Sequence, residues 1–357
     1  MMNTWAMRLL LLSYVVAPSA AAALLLLAAA GTATATATTA SADDGFTIKD
    51  PRIAESSGLA ASRIHPGIYW THNDSDDGAF IYAVDSKSGD TVATLTMRGI
   101  GAPRDVEAIS IGPDGNVYVG DIGDNLDGSW THVWIYRFPE PKQLTNATVD
   151  ATQFTVKYAD GPRNAEALMV HPKTGRVYIA SKNEDGGGLY EGPARLSAGG
   201  TNVFRRVGKV PWVTDGAFSP DGKELVLRSY FSARAYDWKD SGRLGADRGV
   251  GAPFQGQAES VTYTADGTAM MFGSEGVGSD VERVEVKGKR DSGAESPSGE
   301  GSSGDGEKGS GGGGGDGGDG AGGSGDDGGG DVTLGVVVLG GVIAAFVGLR
   351  RLLRRRS

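Results

Sequence analysis

The chain repeats one short pattern five times, and a repeat of this kind restricts the fold more than any other feature of the sequence. The clearest copies are VEAISIGPDGNVYV at 106–119 and AEALMVHPKTGRVYI at 165–179. TDGAFSPDGKELVL at 214–227 and AESVTYTADGTAMM at 258–271 follow, and ESSGLAASRIHPGIYW at 55–70 is a looser first copy. Each reads as two short strands joined by a Pro/Asp/Gly turn, which is a hairpin signal. Two further strand-like stretches usually follow, as at 80–84 and 91–97, or at 133–138 and 153–158. Four strands in each unit of roughly 40–60 residues is the signature of a propeller blade.

Five units predict an all-β, five-bladed β-propeller; a six-bladed ring, with one blade hidden in the long loops, is the alternative. The last unit has only three clear strands, ending at 281–286, whereas 46–49 precedes the first unit without a partner. That orphan is predicted to be the fourth strand of the last blade, closing the ring and removing the sheet edges it would otherwise expose. The predicted core is carried by first- and second-strand apolars: Ile109, Ile111, Val117, Val119, Leu168, Val170, Ile179, Leu225, Val226, Leu227, Val261 and Met271. No helical period of useful length occurs inside 43–290.

The flanks differ in kind. Arg8 precedes two apolar runs, and a small-residue stretch ends in Ala40-Ser41-Ala42, the layout of a secretory signal peptide over 1–42. A retained N-terminal membrane helix is the other reading of that long apolar region. Residues 291–331 are Gly- and Asp-rich and too poor in apolar side chains to bury a core, so they read as a disordered linker. Residues 332–349 carry no charge and are long enough to cross a bilayer, and 350–357 hold five arginines. The positive-inside rule puts that basic tail in the cytoplasm and the propeller outside, on a single-pass membrane anchor. The arrangement resembles the tail of a Gram-positive surface protein, but no LPxTG-like motif precedes the helix, which favours a lipid-embedded anchor. The chain has no cysteine, which excludes a disulfide scaffold, a thiolate zinc site and a cysteine nucleophile. Net charge is −10, and the globular part is itself acidic, which argues against nucleic acid as a partner.

In a propeller the first strand of every blade lines the central channel, so the acid opening each copy converges on one mouth. Aligned on their turns, Glu107, Glu166 and Glu259 superpose, Thr214 takes that place in the fourth copy, and Ser56 or Ser57 in the first. Uncompensated like charges so close would force protonation. A hard cation with about six to eight oxygen ligands answers them, and Ca2+ tolerates irregular rings better than Mg2+.

This ring resembles that of the apyrase family of calcium-activated nucleotidases, with the resemblance confined to the ring and the architecture. It implies a five-bladed propeller whose axial Ca2+ is held by Ser56, Glu107, Glu166, Thr214 and Glu259, with Thr214 departing from the family's serine. Phytase-like and other lactonase-type propellers also place acids there.

A rival needs no metal. Arg52, Arg104 and Arg163 each stand three residues before the acid of their copy and would neutralise the ring as ion pairs, or crown the mouth for an anionic ligand. Antiparallel order puts the loops between second and third strands on the ring's face, and these are the polar ones. They supply Asn73, Asp74, Asp124, Asn125, Lys182, Asn183, Arg228 and Tyr230 as candidate ligand-binding residues. Asp124 and Asn125 also fit an ordinary Asx turn. His72 is the one histidine on this face and the candidate general base. His65 and His171 precede proline at hairpin turns, and His132 lies between tryptophans; all three read as structural.

Two functions remain open: a binding or interaction module for an extracellular ligand or protein, with a structural ion, and a Ca2+-dependent hydrolase of phosphorylated or ester substrates. The orientation is testable apart from either. External protease on intact cells is expected to shed a soluble domain; a domain protected from protease would reverse the topology.

Overall fold

A computed structural model describes residues 44–286 apart from 76, 125–127 and 184–185, and every regular element among them is a β-strand. The expected leader, linker, membrane helix and basic tail lie outside the described residues, as does Asn125. β1 (Phe46–Thr47) comes first. The first unit follows as β2 (Ser56–Ala61), β3 (Ile68–Asn73), β4 (Phe80–Asp85) and β5 (Thr91–Arg98). The second is β6 (Val106–Ile111), β7 (Asn116–Asp121) and β8 (Val133–Pro139), then β9 (Ala147–Asp150) and β10 (Thr152–Tyr158). The third is β11 (Ala165–Val170), β12 (Val177–Ser181), β13 (Gly187–Glu191) and β14 (Thr201–Val210), and the fourth β15 (Asp215–Phe218), β16 (Glu224–Arg228), β17 (Ala233–Lys239) and β18 (Arg243–Val250). The last is β19 (Ala258–Tyr263), β20 (Ala269–Ser274) and β21 (Asp280–Glu285).

Each unit is an antiparallel meander, and the architecture is propeller-like. β1 pairs antiparallel with β21, Phe46 opposite Val281, so the segment before the first unit completes the last sheet as the sequence predicts. The inner strands β2, β6, β11, β15 and β19 adjoin in that order, and β19 returns to β2. At the periphery β9 adds in parallel to β5, and β14 pairs in parallel with β10, which joins neighbouring sheets at their outer edges. The exposed outer strand β18 carries Arg243, Asp247 and Arg248, charges that discourage pairing with another chain. The turn glycines Gly67, Gly115, Gly175, Gly222 and Gly267 share φ values between 69° and 78°, a left-handed conformation that other residues adopt at a cost.

The core consists of clusters between adjoining sheets. Trp70, Ile81 and Leu95 pack on Ile109, Val117 and Phe138; Phe154 of the second sheet packs on Leu168 and Phe204 of the third. Met169 meets Leu225, Val226 meets Phe272, and Phe46 and Met271 meet Leu59 and Tyr69, which brings the circuit back to the first sheet. All twelve apolar side chains expected in the core are buried. Each fully buried large side chain contributes about 1.5–3 kcal/mol. The closing strand stands on the same footing as the rest of the core: Phe46→Ala is expected to cost about 3 kcal/mol, read as a lowered urea midpoint, and an unchanged midpoint would mean β1 is dispensable.

Candidate functional site

The start of each inner strand faces the end of the strand beside it, and here the ladder slips in four of the five sheets. Val106 pairs with Asp121 but Ala108 with Gly120, which leaves Glu107 as the extra residue of a β-bulge. The same slip singles out Glu166, between Ala165 and Ala167, and Glu259, between Ala258 and Ser260. A bulge leaves its extra residue out of the ladder and re-aims its side chain. In the first sheet Ser56 pairs with Asn73 and the ladder resumes at Leu59, so Ser57 takes the place of the three glutamates.

This corrects the expected ring. Ser57 donates to Glu107 Oε2 at 3.0 Å, while the Ser56 hydroxyl lies 2.7 Å from that of Thr71 within its own sheet. In the fourth sheet no bulge forms, and the Thr214 hydroxyl donates to the Ala258 carbonyl at 3.0 Å. Asp215 beside it is buried, and its carboxylate accepts the Val261 N–H at 2.9 Å, tying β15 to β19.

The cation at the ring is Lys182. It leaves the end of β12 and reaches inward, its ammonium 3.0 Å from Glu166 Oε1 and donating to the Tyr230 hydroxyl at 3.0 Å. Burial works against its charge, but Glu166, Glu259 and Glu107 hold it well above its ordinary value. One ammonium does not satisfy the acids around it. Burial first, then Glu166, Asp105 and Asp74, push the Glu107 carboxyl well above its normal range. Burial drives Glu259 up to about 8, with Glu166 and Glu275 adding to it and Lys182 and Arg228 opposing. Asp74 is pushed up to about 9 by burial and by Glu55, and its buried Oδ1 has no hydrogen-bond partner. Asp105 and Glu107 both turn toward Gly123, where an added Cβ would lie 2.5–2.6 Å from their carboxylate oxygens. Among the described residues no three His, Cys, Asp or Glu side chains stand close enough to hold a metal as they are.

The arginines are engaged elsewhere. Arg52 chelates Asp50, with Nη2 2.6 Å from Oδ2, and lies over Tyr82. Arg104 is sandwiched between Trp130 and Trp134, 3.9 and 3.8 Å from their ring centroids, and donates to the His132 carbonyl. Arg163 pairs with Asp160 at 2.7 Å and stacks on Tyr190. Each is therefore held by its own sheet's aromatic residues, and no ion pair joins it to a ring glutamate. Arg228, also expected to bind ligand, is wholly buried and donates to the carbonyls of Ser260 and Gly273 and to Gln255 Oε1.

The polar loops divide in the same way. Asn73 accepts the N–H groups of Ala54 and Glu55 and donates to the Arg52 carbonyl and Asp77. Asp121 does the same work in the second sheet for the N–H groups of Arg104 and Asp105. Asp124 accepts from Ser129 and the Trp130 N–H, the turn role that its sequence context also allows. Asn183 is exposed and accepts from Ser181. His72 is buried against Gly58 and burial lowers its pKa to about 4; it stands away from solvent as a neutral imidazole.

Sequence reasoning missed an aromatic shelf beside Lys182. Trp212 meets Tyr230 edge-on at 5.4 Å, Tyr230 contacts Phe231 at 6.4 Å, and Phe231 stacks on Phe254 at 6.4 Å. Phe254 is 77% exposed and Phe231 46%. All four of these residues come from loops outside the repeat, so alignment of the copies cannot find them, and only Tyr230 was among the expected ligand-binding residues. The opposite end of the axis holds a cavity of about 190 Å³ lined by all five inner strands, among them Ile111, Val170, Phe218 and Tyr263, with Arg63 as its charged group. The titratable cluster is at the acid end.

No protein-family model and no curated protein matches the chain. Solved structures resemble it at low similarity. An auxiliary nutrient binding protein from Bacteroides thetaiotaomicron VPI-5482 gives a TM-score of 0.38 at 11% identity, over 62% of this chain and 52% of its own. Hydrazine synthase of Kuenenia stuttgartiensis gives 0.36 at 11%, over 61% of each. A chain of a mitotic checkpoint complex gives 0.35 at 15%, over 64% and 63%. This chain spans about half the length of the first and under two thirds of the others. Identities and scores this low say nothing of what it binds or does.

The raised carboxyls set a direction for stability against pH. Unfolded, Asp74 and Glu259 lose their protons near 3.8 and 4.5; folded, they keep them to about 9 and 8. Between those limits the folded state holds more protons, so stability falls as pH rises, by at most about 1.4 kcal/mol per pH unit for each group. In chelator, the thermal midpoint should drop from pH 5 to pH 9, and Glu259→Gln should flatten the slope. A midpoint rising across that window would mean the acids are stabilised as anions.

Proposed function

We propose that the protein is a membrane-anchored, extracellular ligand-binding module, a five-bladed propeller whose acidic mouth takes up a cation, with Ca2+ as the ion. Support for five blades comes from the closed circuit of five inner strands and from sheets of four, eight, four and five strands, the eight-stranded one being two meanders joined by the β10–β14 pairing and the five-stranded one a meander extended by β9. The observation that carries the binding reading is the imbalance at the mouth: one ammonium pairs with Glu166 while Glu107 and Glu259 act on it without pairing, and Asp74 keeps a buried oxygen without a partner. Buried like charges left uncompensated seek a counter-ion or a proton.

The donor chemistry suits a hard cation, with a revised set of ligands. Glu107, Glu259, Asp105 and Asp74 would hold the ion, and Lys182 would remain with Glu166. Side-chain rotations have to bring the carboxylates together, and mutual repulsion opposes that until a cation arrives. Calcium's flexible coordination accepts such a set more readily than the octahedron magnesium requires. The ion would supply a fixed positive charge that organises the mouth. A hydrolase reading draws no support from His72, buried and neutral as it is.

Calcium titration of the purified full-length chain, followed by thermal unfolding, tests this. Stabilisation by about 2.7 kcal/mol is expected at a hundredfold excess over the dissociation constant. Glu107→Gln should abolish it and Asp124→Asn should not. Lys182→Met should cost about 3–5 kcal/mol at neutral pH, because it leaves Glu166 buried and unpaired, and calcium or mild acid should restore part of that. If calcium and chelator leave wild type and Lys182→Met unmoved while acid alone rescues the variant, Lys182 is the only counter-charge and the ion reading falls.

A further inference from the structure

The aromatic shelf and the acidic mouth are continuous. Tyr230 belongs to both: its hydroxyl accepts the Lys182 hydrogen bond, its face lies 5.2 Å from that ammonium, and its ring contacts Trp212 and Phe231. From Tyr230 the aromatic surface runs outward through Phe231 to Phe254, while Glu259 and Glu166 lie inward of it. Phe254 buries little of its ring in the folded chain and Phe231 only about half, and a monomer rarely presents several aromatic rings in contact at its surface without a use. Their position beside carboxylates decides which ligand they suit. An anion is repelled by the glutamates. A neutral apolar molecule gains the ring faces but leaves the acids as they were. A cation with an apolar body gains both, since ring faces attract positive charge and carboxylates pair with it.

We propose that the shelf of Trp212, Tyr230, Phe231 and Phe254 binds an organic cation, an ammonium or guanidinium group carried on an apolar or aromatic body, with the charge directed toward Glu275 and the body lying on Phe231 and Phe254. This rests on the reading of the acid end as a binding face, and names the ligand class for it. Glu275 accepts a hydrogen bond at 3.0 Å from Gln257, three residues after Phe254 in the chain, and lies close enough to Glu259 to raise its pKa.

The probe is 2-phenylethylammonium, titrated calorimetrically into the purified full-length chain, with 2-phenylethanol and 3-phenylpropionate as its neutral and anionic counterparts. The ammonium should bind at least tenfold more tightly than either, and more weakly as salt is raised. Phe254→Ala, at an exposed position that the fold does not need, should weaken it by about fivefold, and Glu275→Gln by about tenfold, with the thermal midpoint of Phe254→Ala unchanged. Equal affinity for the alcohol, or an undiminished affinity in Phe254→Ala, overturns the proposal. Stabilisation by calcium with no binding of the ammonium overturns it while leaving the ion reading intact. Ammonium binding without any calcium effect supports it and removes the ion.

Discussion

Closing the inner strands into one circuit forces their first residues together, and the chemistry of the molecule follows from that crowding. β2, β6, β11, β15 and β19 each abut the next, so whatever side chain opens one strand meets those opening its neighbours. In three of the five the opening residue is a glutamate at a β-bulge. The bulge matters because it releases that residue from the ladder, and a side chain that would otherwise alternate between the faces of its sheet can be aimed elsewhere.

Three carboxylates so placed would be costly in a low-dielectric setting, and the chain offsets only part of the cost. Lys182 brings one positive charge on a stem long enough to reach from a loop. A pairing of that kind contributes less to stability than its Coulomb energy suggests, because both partners have given up water. Its use is to fix the ring's geometry while leaving Glu107 and Glu259 without a paired cation, their carboxyls raised by burial. Ser57 and the backbone N–H groups bound by Asn73 and Asp121 hold the rim around it. The arginines that precede the acids serve the same rim from outside: stacked on Tyr82, Trp134 and Tyr190, they lock each loop to its own sheet.

The repeat made much of the fold legible. Hairpins with glycine at a left-handed turn, a fourth strand supplied by residues 46–47, and the apolar faces of β6, β7, β11 and β16 all follow from local pattern. The three glutamates were legible too, since they hold one register in their copies. Alignment on the turns left Ser56 and Ser57 both open, and the ladder favours Ser57 because a bulge shifts the pairing by one residue. The arginines were misjudged for another reason: three residues before an acid is near in sequence, yet a planar guanidinium finds a better partner on an aromatic face of its own sheet. Arg228 looked like a loop cation, but it ends β16 at a position whose side chain points between sheets.

By itself the sequence determined the units, their strands and their turns, because these depend on alternation of period two and on a few residues with special backbone preferences. It also determined that acids would open the inner strands. Only the tertiary structure decided what faces those acids. Lys182, Asp105, Glu275 and the aromatic rings of Trp212 and Phe254 sit in segments without periodicity, and their neighbours are fixed by how the sheets close on one another. Charge, unlike hydrophobic pattern, acts on whatever lies within a few ångströms in space, and proximity in a closed ring is a property of the whole chain.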